Sequence, residues 1–295
     1  MEYLSGFNDL FAALALVLGA IIGSFLNVVS LRYNTGRTVG GRSSCPVCGK
    51  HLPWYELIPV LSFFFLHGRC SKCSAKISWR YPLVELGTAF LFLISWAVAF
   101  PGGLVNALGS STALMQGLIA FLLLCVGWSI LVVIFVYDSR HMVIPDGLSF
   151  SFAIVGLVHL LVTAAETLPG GIAGLFTWPY YLDLLAGPIL FIPFWLIWKL
   201  SKGKWIGLGD GKLAWGIGWF LGLAGGLSAI TFGFWIGAVI ALLLLAFQNI
   251  SGRAAWGKKL SLQSALPLGP FLILGTITAF MLASDLFMIR ALAGF

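Results

Sequence analysis

The chain has 295 residues, of which 60% are hydrophobic and 9% charged; an ordinary water-soluble domain carries about 25% charged residues. That balance excludes a soluble globular enzyme and makes the bilayer the main solvent. A net charge of +7 would suit a nucleic-acid binder, but the charge is confined to particular loops, and no nucleic-acid partner is expected.

Residues 1–9 carry Glu2 and Asp9 and no basic n-region, so nothing reads as a removable signal peptide and the first apolar segment is expected to persist. Eight apolar spans follow, at about 11–31, 83–100, 113–137, 148–165, 181–200, 213–223, 227–247 and 268–290. Most approach the ~20 residues that cross a bilayer as helix. The sixth is short and glycine-rich, as membrane helices that pack closely often are. With both termini outside, the inner loops hold Arg32, Arg37, Arg42, Lys50, Arg69, Lys72, Lys76, Arg80, Arg140, Lys199, Lys202, Lys204, Lys212, Arg253, Lys258 and Lys259. Only Arg290 falls outside, while Glu2, Asp9, Glu166, Asp183 and Asp285 lie on or near the outer side. This asymmetry is the positive-inside pattern. The expected architecture is an all-α polytopic membrane protein. Its parts are a first transmembrane helix over 1–31, a cytoplasmic loop domain over 32–81 and a seven-helix membrane domain over 82–295.

The loop domain is too small for a self-sufficient core and calls for a metal or disulfides. It carries Cys45-Pro46-Val47-Cys48 and Cys70-Ser71-Lys72-Cys73, with twenty-one residues between the pairs. Four thiolates so spaced suit a closed tetrahedral Zn²⁺ site with a structural role; a redox dithiol pair is the alternative. Gly49 and Gly68 flank the pairs, as tight turns at a metal knuckle require. His51 and His67 lie nearby, but four thiolates already complete the shell.

A second constellation is acidic. Tyr137-Asp138 ends the third span, Pro145-Asp146 opens the fourth, and Gly207-Leu208-Gly209-Asp210-Gly211-Lys212 opens the sixth. Ionisable groups at membrane depth are expensive and are functional candidates by default. Two facing carboxylates cannot both ionise easily, which splits them into a base and an acid. Asp138 and Asp210 are the candidate catalytic pair, with Gly207 and Gly209 allowing close approach of backbone or substrate. Helix capping is the competing role for Asp146 and Asp210, whereas Asp138, at a helix end that disfavours an anion, is poorly explained by it. Lys212 would steady the pair's charge or simply obey the positive-inside rule.

The motif series resembles the bacterial type IV prepilin peptidases, a family of membrane aspartic proteases. Gly23-Ser24-Phe25-Leu26-Asn27-Val28-Val29 resembles the family's first-span motif. Cys45-Pro46-x-Cys48, Trp54-Tyr55-Glu56-Leu57-Ile58-Pro59, Gly68-Arg69-Cys70-x-x-Cys73 and Ile77-Ser78-Trp79-Arg80-Tyr81-Pro82-Leu83-Val84-Glu85 resemble its cytoplasmic loop. Asp138 through Pro145-Asp146, Gly207-x-Gly209-Asp210-x-Lys212-Leu213 and Pro267-Leu268-Gly269-Pro270-Phe271 resemble three later motifs. The resemblance implies that Asp138 and Asp210 are catalytic, with Asp146 a nearby motif residue. It implies a prepilin or pseudopilin substrate of type IV pili or type II secretion, cleaved after a glycine at the inner face of the bacterial cytoplasmic membrane. It also implies N-methylation of the new terminus by S-adenosylmethionine.

No dinucleotide-type glycine fingerprint is present, so that cofactor would rest on the loop and adjacent span ends, where Asn27, Glu56 and Glu85 are the polar candidates. For Glu85 the competing role is an ion pair with Arg80, and for Asn27 an interhelical hydrogen bond. Two other functions compete: a proton-coupled transporter using the carboxylates, and a pilus-assembly binding protein acting through the zinc loop. His159 and Cys125 are read as packing residues, and His141 as a solvated loop position.

Overall fold

The computed structural model describes residues 2–36, 38, 40–251 and 267–293. Four of the inner-loop cations named above, Arg37, Arg253, Lys258 and Lys259, lie outside them. Among the described residues every regular element is helical, apart from two isolated antiparallel bridges, Ser44 with His51 and Arg69 with Lys76. The helices are α1 (Glu2–Arg32), α2 (Leu61–Phe65), α3 (Arg80–Ala99), α4 (Leu104–Leu108), α5 (Ser111–His141), α6 (Asp146–Thr167), α7 (Tyr181–Ser201), α8 (Leu208–Ser251), α9 (Gly269–Leu282) and α10 (Ile289–Ala293). Six of them, α1, α3, α5, α6, α7 and α8, are long and apolar enough to cross a membrane.

The first five predicted spans correspond to α1, α3, α5, α6 and α7. The sixth and seventh share α8, a run of 44 residues broken at Gly222, where φ is 72° and ψ −179°. A straight helix of that length would rise ~66 Å, about twice the hydrocarbon thickness of a bilayer, so the break is needed. Its backbone conformation is one that glycine alone adopts readily. Asp183, in the first turn of α7, accepts the Leu223 N–H at 2.8 Å through Oδ1 and so caps the helix that restarts after the break. The eighth predicted span is shorter than expected: α9 has 14 residues and rises only ~21 Å.

The chain packs as two compact units, Met1–Val136 and Tyr137–Phe295. In the first, α1 and α3 pack at close range: a methyl group at Gly19 would sit 2.7 Å from Ala89 Cα, and one at Gly23 2.8 Å from Glu85 Cα. Small residues are what allow such contact between membrane helices. Ala15, Phe92, Trp96, Phe100, Leu104, Phe121 and Cys125 form its buried core, with Trp96 and Phe100 ring centroids 4.4 Å apart. Cys125 is thus the small buried residue expected. In the second unit α8 is central and packs on α6, α7 and α9; Phe152, Leu190, Leu213, Ile217 and Leu272 are among its fully buried residues. His159 packs against Phe220 there, ring centroids 5.3 Å apart, a packing role.

Candidate active site

Asp138 and Asp210 both belong to the second unit. Asp138 occupies the last turn of α5 and is 3% exposed. After His141 the chain reverses through Met142 (φ 53°) and reaches the buried Ile144 and Pro145 before α6 begins. Asp210 occupies the first turn of α8 and accepts a hydrogen bond from the Gly207 N–H. A third-position side chain bonded to the residue before the helix is half of a capping box. The two carboxylates lie close enough for their charges to act directly on one another.

Two glycines let the starts of α8 and α9 close on Ile144. A methyl group at Gly209 would sit 3.0 Å from Ile144 Cβ, so a larger residue would push the start of α8 off the α5–α6 turn. Gly269, at the start of α9, donates its N–H to Asp138. A methyl group there would lie 2.6 Å from Asp138 Oδ2. The sequence signal for Gly269 was the Pro267–Phe271 motif, noted above but given no role.

The expected roles of the neighbouring residues sort differently. Asp146 is the first residue of α6, behind Pro145, with no side-chain cap bond. It is exposed and receives the Lys212 ammonium at 2.7 Å on Oδ1. Capping therefore belongs to Asp210, and the ion pair of Lys212 ties the start of α8 to the start of α6. His141 closes α5 rather than lying in a loop; it is exposed and packs on Tyr137 at 4.5 Å.

The first unit holds the cysteine cluster. The Sγ atoms of Cys45, Cys48, Cys70 and Cys73 all lie within 4.8 Å of one another, with Cys45–Cys73 at 3.8 Å and Cys48–Cys70 at 4.0 Å. Tetrahedral Zn–S bonds of ~2.3 Å place sulfurs ~3.8 Å apart, close to the spacing of these two pairs, so the four residues suit a single ion. Each pair sits on the same turn. The Cys45 N–H donates to the Lys50 carbonyl and the Cys70 N–H to the Ala75 carbonyl, both at 2.9 Å. The turn needs a left-handed residue after its second cysteine: Gly49 (φ 68°) in one, Ser74 (φ 55°) in the other. Gly68 (φ 64°) instead lies over the Phe63 ring. Backbone N–H groups of Cys73 and Lys72 draw the Cys70 thiol down to about 6, and those of Cys48 and Val47 lower Cys45. Both shifts favour the thiolates that a metal requires.

Of the three polar candidates in this unit, Asn27 and Glu85 hold the fold. Asn27 Nδ2 donates to the Tyr81 carbonyl at 3.2 Å, the interhelical bond considered above. Glu85 does not pair with Arg80: its Oε2 accepts the Val60 N–H at 2.7 Å, fixing a β-branched residue at φ 63°. Glu56 has a 4% exposed side chain. Its Oε1 accepts Lys50 Nζ at 2.9 Å and the Ser71 hydroxyl at 2.8 Å, one from each cysteine turn. The Lys50 ammonium and the Ser71 hydroxyl hold the Glu56 carboxyl below its ordinary range, and Glu56 Oε2 is buried without a hydrogen-bond partner.

Residues 17–99 match the bacterial peptidase A24 N-terminal domain, and residues 125–242 match the type IV leader peptidase family. The prepilin leader peptidase/N-methyltransferase of Pseudomonas aeruginosa is 31% identical over 92% of this chain and 90% of its own length. The chain belongs to the type IV leader peptidase family. Relatives of the same description in Pseudomonas putida, 32% identical over 89% of this chain and 87% of the relative, and Myxococcus xanthus, 32% over 83% and 67%, agree. No solved structure matches. The leader peptidase match contains Asp138, Asp146, Gly207, Asp210 and Lys212, and the N-terminal match contains the four clustered cysteines, Asn27, Glu56 and Glu85.

Proposed function

We propose that this leader peptidase family member is a multi-pass enzyme of the bacterial cytoplasmic membrane that removes the leader of a type IV prepilin or type II secretion pseudopilin, with Asp138 and Asp210 as its catalytic pair. The observation that carries the reading is that two carboxylates, seventy-two positions apart in the chain, lie within electrostatic reach of one another at the ends of α5 and α8. With one proton between them, one carboxylate takes a proton from water as it attacks the scissile carbonyl. The other protonates the carbonyl oxygen; as the C–N bond breaks, the first passes the water's proton to the departing amine, and the second regains its proton from the gem-diol hydroxyl. The exposed backbone at Gly207 gives an extended substrate room beside the pair. Placing both termini outside, with eight crossings, puts the pair on the cytoplasmic side, where a prepilin's basic leader meets its apolar helix.

The relatives' description as N-methyltransferases supports a second activity, methylation of the freed amino terminus. S-adenosylmethionine supplies the methyl group when bound. Among Asn27, Glu56 and Glu85, Glu56 fits a ligand contact best, because its buried Oε2 has no partner while Asn27 is engaged by the α3 backbone at Tyr81 and Glu85 by the Val60 N–H. The cysteine cluster holds Zn²⁺ in a structural role, since four thiolates leave no open position. Residues 32–81 then form a cytoplasmic metal module between the first helix, 1–31, and the seven-helix remainder, 82–295.

The test uses the full chain in membranes with a prepilin substrate. Asp138→Asn and Asp210→Asn each lower the cleavage rate by about 10²–10⁴, the scale of lost acid–base catalysis, while methylation of a pre-trimmed substrate persists. Cleavage at the unaltered rate by both variants would overturn the assignment.

A further inference from the structure

A groove of about 570 Å³ lies in the metal module, lined by Phe63, Phe64, His67, Gly68, Arg69, Lys76, Ile77 and Trp79. Its aromatic wall is built: Phe63 is buried, with the Trp79 ring 4.7 Å and the Phe64 ring 5.8 Å from it. Gly68 lets the chain lie against Phe63, where a methyl group would come within 3.1 Å of the ring. Phe64 and Trp79 are nonetheless 54% and 61% exposed. Trp79 is the residue before α3, a helix long and apolar enough to cross a membrane, so the groove adjoins the end of a candidate span.

The groove's charge is the second observation. Arg69 and Lys76 stand directly opposite each other in an antiparallel bridge. Like charges so placed repel, their Cβ atoms being ~5 Å apart. The corresponding bridge of the other cysteine turn pairs Ser44 with His51 and carries no such conflict. No carboxylate lines the groove. Two facing cations over an aromatic wall beside a candidate span define a ligand that is anionic at one end and apolar at the other.

We propose that this groove holds an anionic phospholipid, its phosphate between Arg69 and Lys76 and the first part of its acyl chain against Phe63, Phe64 and Trp79, so that the metal module is seated on the inner leaflet. The assignment rests on the cytoplasmic placement of the loop proposed above and needs no part of the cleavage chemistry. Anionic lipids are concentrated in that leaflet, and interfacial Trp is a common anchor. S-adenosylmethionine is a poorer occupant, since its sulfonium and ammonium would face two cations with no acid to receive them.

The experiment titrates the full chain in detergent with short-chain phosphatidylglycerol, and in parallel with phosphatidylcholine and with inorganic phosphate, reading bound lipid by native mass spectrometry. Phosphatidylglycerol is expected to bind more tightly than phosphatidylcholine, by about fivefold per cation and about 25-fold for the pair. Arg69→Gln with Lys76→Gln is expected to erase that preference, and Lys202→Gln with Lys204→Gln to leave it. Bound zinc and prepilin cleavage, measured on the same samples, show separately whether the module is folded and whether the function proposed above holds. An unchanged lipid preference in the Arg69/Lys76 variant with zinc retained would overturn the proposal. So would equal binding of the two lipids by the unaltered chain, saturation by inorganic phosphate alone, or displacement of the lipid by S-adenosylmethionine.

Discussion

Asp138 and Asp210 lie within electrostatic reach of one another where the start of α8 and the start of α9 both close on Ile144. Gly209 and Gly269 both lie against it, and Gly269 also donates its N–H to Asp138. Gly269→Ala adds a methyl group 2.6 Å from Asp138 Oδ2, which must displace the carboxylate. A misplacement on the order of 1 Å costs about 10²-fold in rate. The variant is therefore expected to cleave prepilin about 10²-fold more slowly while its thermal unfolding changes little; an unaltered rate would remove Gly269 from the site. The aspartates were legible in the sequence because a carboxylate at a membrane helix end lacks a cheap structural explanation. Gly269 was not, because nothing local to Pro267–Phe271 shows which distant side chain its N–H meets. Capping was readable as a possibility at both Asp146 and Asp210; only the geometry separates them, through the Lys212 partner of the first and the Gly207 partner of the second.

Among the elements, α8 departs furthest from the expected plan. Hydropathy alone ends one span near 223 and begins another near 227, because glycines dilute the apolar run. The chain instead turns at a single residue, Gly222, and Asp183 of α7 receives the first free N–H of the restarted helix. Sequence pattern marks a glycine-rich break but not which glycine takes the positive φ, a choice made by the neighbouring helix. Asp183→Ala leaves that N–H unpaired and is expected to cost about 0.5–2 kcal/mol, the usual loss on removing a helix cap. It should appear as a lowered midpoint in thermal unfolding of the detergent-solubilised protein, with cleavage at low temperature unchanged. An unchanged midpoint would show that the cap contributes nothing. The two cysteine turns were readable from their spacing, whereas Ser74 in the left-handed position was hidden, since sequence reasoning looks for glycine there.

At the scale of the whole molecule, a hydrophobic chain with its positive charge confined to particular loops announces a membrane protein before any motif is read, and the helical fold follows from the need to satisfy backbone groups within each segment. Where each compact unit begins was not legible, because contacts between distant helices decide it. Each unit has its own apolar core, while the loop that carries the cysteines has little. Removal of bound metal by a chelator is therefore expected to make residues 40–79 protease-sensitive while the helical circular dichroism signal stays nearly constant. Loss of that signal would mean that the metal supports the helices as well. Asp138 and Asp210 are proposed to work on one water as a unit. Groups that act together are not additive when removed, so the measurement that bears on this most directly is the prepilin cleavage rate of Asp138→Asn, Asp210→Asn and the double variant in one membrane preparation. The expected result is the same residual rate for all three. Multiplying losses in the double variant, or a single variant that cleaves at the unaltered rate, would contradict a shared site.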